Sequence, residues 1–168
     1  MLLDRTANAI YKVMTPLSKV LVFIGGAFLA VMMFLTFSDV AMRYFFDMPI
    51  SGAFDLTEYM MAIVFAFGLP YCAVERGHIR VDILMERLSE KAQTIINAVT
   101  TPIGLGLFAL IAWQSFRYIL IQQDSSIVSS VLLIPRYPFV AVLFVGYTCF
   151  AIVLVADVLK LIAQVIKK

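Results

Sequence analysis

Four stretches of the chain lack charged residues over lengths that suit a membrane span. A helix that rises about 1.5 Å per residue needs about 20 apolar residues to cross about 30 Å of hydrocarbon. Charged residues bound each stretch, and the second one is short unless its helix begins before Glu58. This pattern predicts four membrane-spanning helices, at about 18–39, 54–75, 93–117 and 137–158.

The composition supports a membrane location. Hydrophobic residues make up 62% of the 168 residues and charged residues 14%. Soluble domains average roughly 45–50% and about 25%. A soluble domain of this size has too little interior to bury so many apolar side chains. The sequence therefore predicts an all-α integral membrane protein with a single membrane domain over residues 1–168.

The positions of lysine and arginine predict the orientation. Ten of the 13 basic residues lie in the N-terminal segment, the loop between the second and third spans, and the C-terminus. The other three are Arg43, Arg117 and Arg136. Cytoplasmic loops of membrane proteins carry the excess of positive charge. We therefore expect both termini and the second loop in the cytoplasm, and the first and third loops on the outside, in the periplasm if the cell is Gram-negative.

Two segments outside the spans have an amphipathic pattern, at about 2–16 and 79–91. Apolar residues recur at helical spacing in each, and basic residues lie on the other faces. Such helices lie flat on anionic lipid. For the second, lipid contact is the favoured interpretation, and packing against a partner protein is the alternative. The residues expected at phospholipid headgroups are Lys12, Lys19, Arg80, Arg87 and Lys91.

The third loop, residues 122–138, reads QQDSSIVSSVLLIPRYP. Its middle is uncharged, apolar and rich in serine, which is unusual for a loop in water. Pro138 suits the first turn of the fourth helix, where a missing N–H costs nothing. We expect a short hairpin or half-helix at the outer surface.

Most site chemistry is excluded by what the sequence lacks. The chain has one histidine, two cysteines without a CxxC spacing, and no glycine-rich phosphate loop. One chain therefore cannot supply two histidines to a haem or the usual ligand set to zinc. We expect no catalytic site, metal or cofactor in this chain, and no nucleic-acid partner.

Several charged residues at the ends of spans have spacings that favour contacts. Asp39 and Arg43 are four residues apart, so they can pair on one helix face or contact another subunit. Asp55 and Glu58 have the spacing of a capping box at the start of the second helix. Glu58 lies close to the hydrocarbon and needs a partner there, such as Arg43 or a neighbouring protein.

The single histidine, His78, is four residues before Asp82 at the inner surface. The two side chains can pair there and fix the turn that leaves the second span. A role in sensing pH is an alternative, because histidine titrates near neutrality.

Together these features resemble the small membrane subunit, the Q or DctQ-type subunit, of tripartite ATP-independent periplasmic (TRAP) transporters. The resemblance covers nearly the whole chain, and the HisIleArgValAsp element after the second span is its most specific part. The segments that carry it are Arg43 to Phe46, Pro49 to Gly52, Glu58, Glu75 to Asp82, and Ile134 to Pro138.

The resemblance implies a non-catalytic subunit of a sodium-coupled transporter for organic acids. A large membrane subunit would hold sodium and substrate, and the small subunit would pack on its scaffold and help dock a periplasmic substrate-binding protein. The residues expected at subunit interfaces or between helices are Asp39, Arg43, Glu58, His78 and Asp82. The residues expected to contact the binding protein are Asp47 and Arg136.

Two other functions are compatible with four spans. A self-sufficient homo-oligomeric transporter or channel should carry an acidic residue deep in its first helix, but the only acid there is Asp39, at the end of the span. A membrane anchor for a redox enzyme is disfavoured by the single histidine.

Overall fold

The structure is a computed structural model, and it describes residues 2–75, 90–125, 128–129 and 131–166. This part of the chain folds into four α-helices, each long and apolar enough to cross a membrane. The prediction of an all-helical chain with four candidate spans is confirmed. The helices are α1 (Leu2–Phe46), α2 (Ala53–Val74), α3 (Glu90–Ser125) and α4 (Tyr137–Ile166).

The N-terminal segment is helical, but it does not form a separate element. The predicted helix at about 2–16 and the first predicted span join into one helix of 45 residues. Pro16 removes one backbone donor without ending the helix. Packing explains the continuity, because Tyr11 and Met14 contact the core before the proline and Ser18 is buried just after it. The position of this end on the membrane surface stays a prediction.

The predicted interfacial helix at about 79–91 falls almost entirely on residues 76–89, which lie outside the described part of the chain. The described structure resumes in α3, at Glu90.

Helix α4 is the centre of the assembly, because it packs against each of the other three helices. Helices α1 and α2 also pack against each other, whereas α3 has its extensive contacts with α4 alone. Large apolar side chains on the remaining surfaces of α1 and α3 are exposed. The most buried cluster consists of Ala73, Phe150, Val153 and Leu154.

Two glycines mark close approaches between helices. A Cβ atom on Gly146 of α4 would lie 2.8 Å from the Ala66 Cα atom of α2. A Cβ atom on Gly25 of α1 would lie 3.4 Å from the Phe67 Cβ atom. In lipid, small residues of this kind let helix backbones approach closely. Gly106 on α3 is different, because a Cβ atom there would have no neighbour within 4 Å among the described residues.

We predict that Gly146→Ala destabilises the protein, because the added methyl group meets the α2 backbone and cannot be accommodated by a side-chain rotation. Overpacking of this kind costs about 1–3 kcal/mol. The matched control is Gly106→Ala, which should be neutral or slightly stabilising because alanine favours the helix. Thermal unfolding of the two purified variants in one detergent measures the difference. Equal unfolding temperatures for the two variants would show that the α2–α4 contact at Gly146 has room for a methyl group.

Candidate functional site

The end of α1 that the charge pattern predicts to be outside is held by a double contact of Asp39. One carboxylate oxygen pairs with the Arg43 guanidinium at 3.1 Å. The other accepts the backbone N–H of Ile50 at 2.8 Å. The helix ends at Phe46, and Asp47 follows in the left-handed conformation with φ 52°. Asp39 therefore fixes the loop after α1 and also binds the neighbouring arginine.

The interpretation of Asp55 and Glu58 as a capping box is wrong. Helix α2 begins after Gly52, whose φ of 83° only glycine adopts easily, and no side chain caps it. Asp55 lies inside the first turn of the helix and is 4% exposed. Its Oδ2 atom accepts the backbone N–H groups of Val131 and Leu132, each at 3.0 Å. The acid holds a loop 76 residues away instead of capping its own helix.

The segment held by Asp55 is a short hairpin. Val128 and Pro135 form an antiparallel bridge, and the Ser129 N–H donates to the Ile134 carbonyl at 2.9 Å. The Ile134 N–H in turn donates to the Ser129 hydroxyl oxygen at 3.3 Å. Of the two structures predicted for this loop, the hairpin is the one present. We call residues 128–135 the outer hairpin; residue 130 lies outside the described part.

Three further contacts fasten the outer hairpin to the helices. The Leu132 side chain occupies the space beside Gly52, where a Cβ atom would lie 2.6 Å from it. The Tyr59 hydroxyl donates to the Ile134 carbonyl at 3.2 Å. The Tyr59 ring stacks on Phe139 of α4, with centroids 3.9 Å apart and planes at 9°. Since Gly52, Asp55 and Tyr59 follow helical spacing, the hairpin lies along one face of α2.

Glu58 lies on another face of α2. Phe54, Glu58, Met61 and Phe65 are spaced at one helical period, and all four are exposed. Within the described residues, Glu58 makes neither a hydrogen bond nor an ion pair. Arg43, one partner suggested by the sequence, binds Asp39 instead. We call these four residues the Glu58 stripe. It combines an unpaired carboxylate with a continuous apolar surface.

The other predicted site residues are dispersed. Asp47 is exposed, and Arg136 is half-buried with its Nε atom unpaired among the described residues. Lys12 and Lys19 are exposed on α1, and the backbone of Lys91 lies in α3. The remaining predicted residues lie outside the described part of the chain: His78, Arg80, Asp82 and Arg87.

At the opposite end of the helices, two charged side chains contact Tyr11, which the sequence did not predict. The Tyr11 hydroxyl on α1 donates to the Asp157 carboxylate on α4 at 2.6 Å. The Lys160 ammonium lies 3.8 Å from the centroid of the Tyr11 ring. In the parts of the chain that the structure describes, no group of three or more His, Cys, Asp or Glu residues could hold a metal. The contacts described above hold helices and loops together.

Comparison with known proteins identifies the family of the chain. Residues 32–164 match the family described as tripartite ATP-independent periplasmic transporters, DctQ component. The chain belongs to this family. Membership makes the chain a transport component, not an enzyme, and implies partnership with a large membrane subunit and a binding protein in general.

A curated relative from Haemophilus influenzae (strain ATCC 51907 / DSM 11121 / KW20 / Rd) is 25% identical over 114 residues. The match covers 68% of this DctQ-family chain and 69% of the relative, whose name describes it as a candidate TRAP transporter small permease protein. No solved structure shows significant similarity to the chain.

We predict that Asp55→Ala releases the outer hairpin, because the N–H groups of Val131 and Leu132 lose their acceptor. Amide hydrogen exchange at these two positions should then accelerate severalfold. Asp55→Asn is the matched control, since its amide oxygen can still accept both hydrogen bonds, and it should exchange at an intermediate rate. Unchanged protection in Asp55→Ala would mean that the other contacts suffice to hold the hairpin.

Proposed function

We propose that the chain is the small, non-catalytic subunit of a sodium-coupled TRAP transporter for organic acids. It packs on the scaffold of the large membrane subunit and increases the part of the complex that is anchored in the bilayer. Its outer surface helps dock the periplasmic substrate-binding protein. The sodium and substrate sites lie on the large subunit. The chain is a multi-pass protein of the inner membrane, in contact with phospholipid, with both termini in the cytoplasm.

The observation that carries this proposal is the exposed carboxylate of the Glu58 stripe. Glu58 lies about 8 Å from the outer end of α2, given a rise of about 1.5 Å per residue. Charged side chains within membrane helices are costly in lipid, so they usually face other protein groups and find a partner. A basic or amide group of the large subunit would satisfy Glu58, while Phe54, Met61 and Phe65 pack against apolar helices. We therefore assign the Glu58 stripe to the interface with the large subunit.

The distribution of charge favours a scaffold role for this chain. It argues against a transport path within the chain itself. No charged residue lies between Lys19 and Asp39, or between Arg136 and Asp157. The segments between Glu58 and Glu75 and between Lys91 and Arg117 are equally free of charge. Subunits that move ions or acids place polar and ionisable groups near the bilayer midplane. A self-sufficient homo-oligomeric transporter would be expected to contain such a group.

The remaining predicted residues take roles that follow from the proposed orientation. Asp47, in the loop after α1, and Arg136, directly after the outer hairpin, are proposed to contact the binding protein. Asp39 and Arg43 stabilise the outer end of α1, while His78 and Asp82 are proposed to pair at the inner surface. The proposed contacts of basic side chains with phospholipid headgroups involve Lys12, Lys19, Arg80, Arg87 and Lys91.

We predict that Glu58→Gln weakens the complex with the large membrane subunit. Loss of one interaction worth about 1.4 kcal/mol would lower the association constant about tenfold. The measurement is the amount of large subunit that co-purifies with the tagged small subunit after co-expression. The matched control is Asp47→Asn, which also neutralises an exposed acid near the outer surface and should leave co-purification unchanged.

Other outcomes of this experiment would contradict the proposal. An unchanged yield of complex, combined with an altered sodium dependence of organic-acid uptake, would place Glu58 in a transport path. Uptake by proteoliposomes that contain this chain alone would favour the homo-oligomeric transporter. Failure of the unsubstituted pair to co-purify would remove the scaffold role altogether.

A further inference from the structure

The turn of the outer hairpin exposes apolar side chains where a water-facing loop would carry polar ones. Val131, Leu132 and Leu133 are 56%, 36% and 67% exposed. The eleven residues between Asp124 and Arg136 contain no charge. We call Val131–Leu133 the hairpin tip. Exposure of apolar surface to water costs about 25 cal/mol per Å², so this tip would be unfavourable in bulk solvent.

The tip is held outward by its surroundings. Leu133 has φ 54°, a left-handed conformation that residues with a side chain adopt only when neighbouring contacts enforce it. The neighbouring Ile134 is held at both its N–H and its carbonyl. Val131 and Leu132 are held by the Asp55 carboxylate. The backbone of the tip is therefore fixed, and it presents the exposed side chains of Val131 and Leu133 while the Leu132 side chain packs beside Gly52.

The length of α2 fixes the depth of the tip. Helix α2 has 22 residues, which corresponds to about 33 Å and barely exceeds the hydrocarbon thickness of about 30 Å. The outer end of α2 must therefore lie close to the boundary between acyl chains and headgroups. Asp55 is the third residue of the helix, about 3 Å from that end. Its hydrogen bonds place the hairpin tip at the same level.

We propose that the hairpin tip inserts into the outer face of the phospholipid bilayer, at the boundary between headgroups and acyl chains. Leu133 and Val131 enter this layer, and the backbone N–H groups that would be unpaired there bind Asp55. The tip thereby sets how deeply the outer ends of α2 and α4 lie in the membrane. This role requires only that α2 spans the bilayer and is independent of the transport partner.

Phospholipid suits the surface of the hairpin tip better than a second protein does. The hairpin lies along the face of α2 that carries Gly52, Asp55 and Tyr59, whereas the Glu58 stripe proposed for the large subunit occupies a different face. The tip has no charged side chain with which to select a protein surface. Apolar side chains at the level of the headgroup boundary are what an interfacial anchor requires.

The test is a nitroxide label on Leu133→Cys, in a chain whose native cysteines are replaced by Cys72→Ala and Cys149→Ala. The labelled chain is placed in nanodiscs of phosphatidylethanolamine and phosphatidylglycerol, alone and in complex with the large membrane subunit. Collision rates with oxygen and with a water-soluble nickel chelate report depth. The matched control is a label on Asp47→Cys, in the other outer loop.

We expect the ratio of oxygen to nickel collisions at Leu133→Cys to exceed that at Asp47→Cys severalfold, with and without the large subunit. A label on Val131→Cys should agree, which guards against a local effect of the substitution in the left-handed position. Equal ratios at the two loops would place the tip in water and overturn the proposal. Loss of access to both reagents when the large subunit is added would make the tip a protein contact instead.

Discussion

The carboxylate of Asp55 is the contact on which the outer end of the structure depends. Backbone polar groups that approach hydrocarbon need partners within the protein, because less water is available there to bind them. An irregular segment can lie at this depth only if something accepts its N–H groups. Asp55 accepts two of them. The left-handed Gly52 and the Tyr59 hydroxyl complete the attachment, so α2, the outer hairpin and the start of α4 form one unit.

The four helices differ in how much of their surface is buried within the chain. Helices α2 and α4 supply most of the buried residues, whereas α1 and α3 present apolar side chains outward. Charged groups that fasten the structure lie at the two ends of the helices, with Asp39 and Asp55 at one end and Asp157 at the other. The long middle of each span is left for packing against lipid or protein. Glu58 differs from these charged groups because it is exposed and unpaired within the described residues. Its carboxylate favours a basic or amide partner on that face of α2.

Local features of the sequence could be predicted, and contacts between distant segments could not. The four spans follow from runs of apolar residues, and the Asp39–Arg43 contact follows from a spacing of four within one helix. The partners of Asp55 lie 76 and 77 residues away, and no short spacing encodes them. The capping-box prediction was wrong because α2 begins directly after Gly52, which has a left-handed backbone conformation and no side-chain cap. The uncharged, apolar third loop was the sequence feature that could have indicated such a contact, because its backbone N–H groups need acceptors.

The contact between Tyr11 and Asp157 constrains the order in which the chain can assemble. The two residues are separated by 146 positions, and Met14 packs against the buried cluster that α2 and α4 form together. The N-terminal part of α1 is synthesised first, yet its contacts with α4 can form only after the last span has been made. Chains fold during synthesis from the N-terminus onward, so contacts of this range form late. A ribosome that stops before α4 would leave the N-terminal part of the first helix without its α4 contacts, a state that quality-control proteases could recognise.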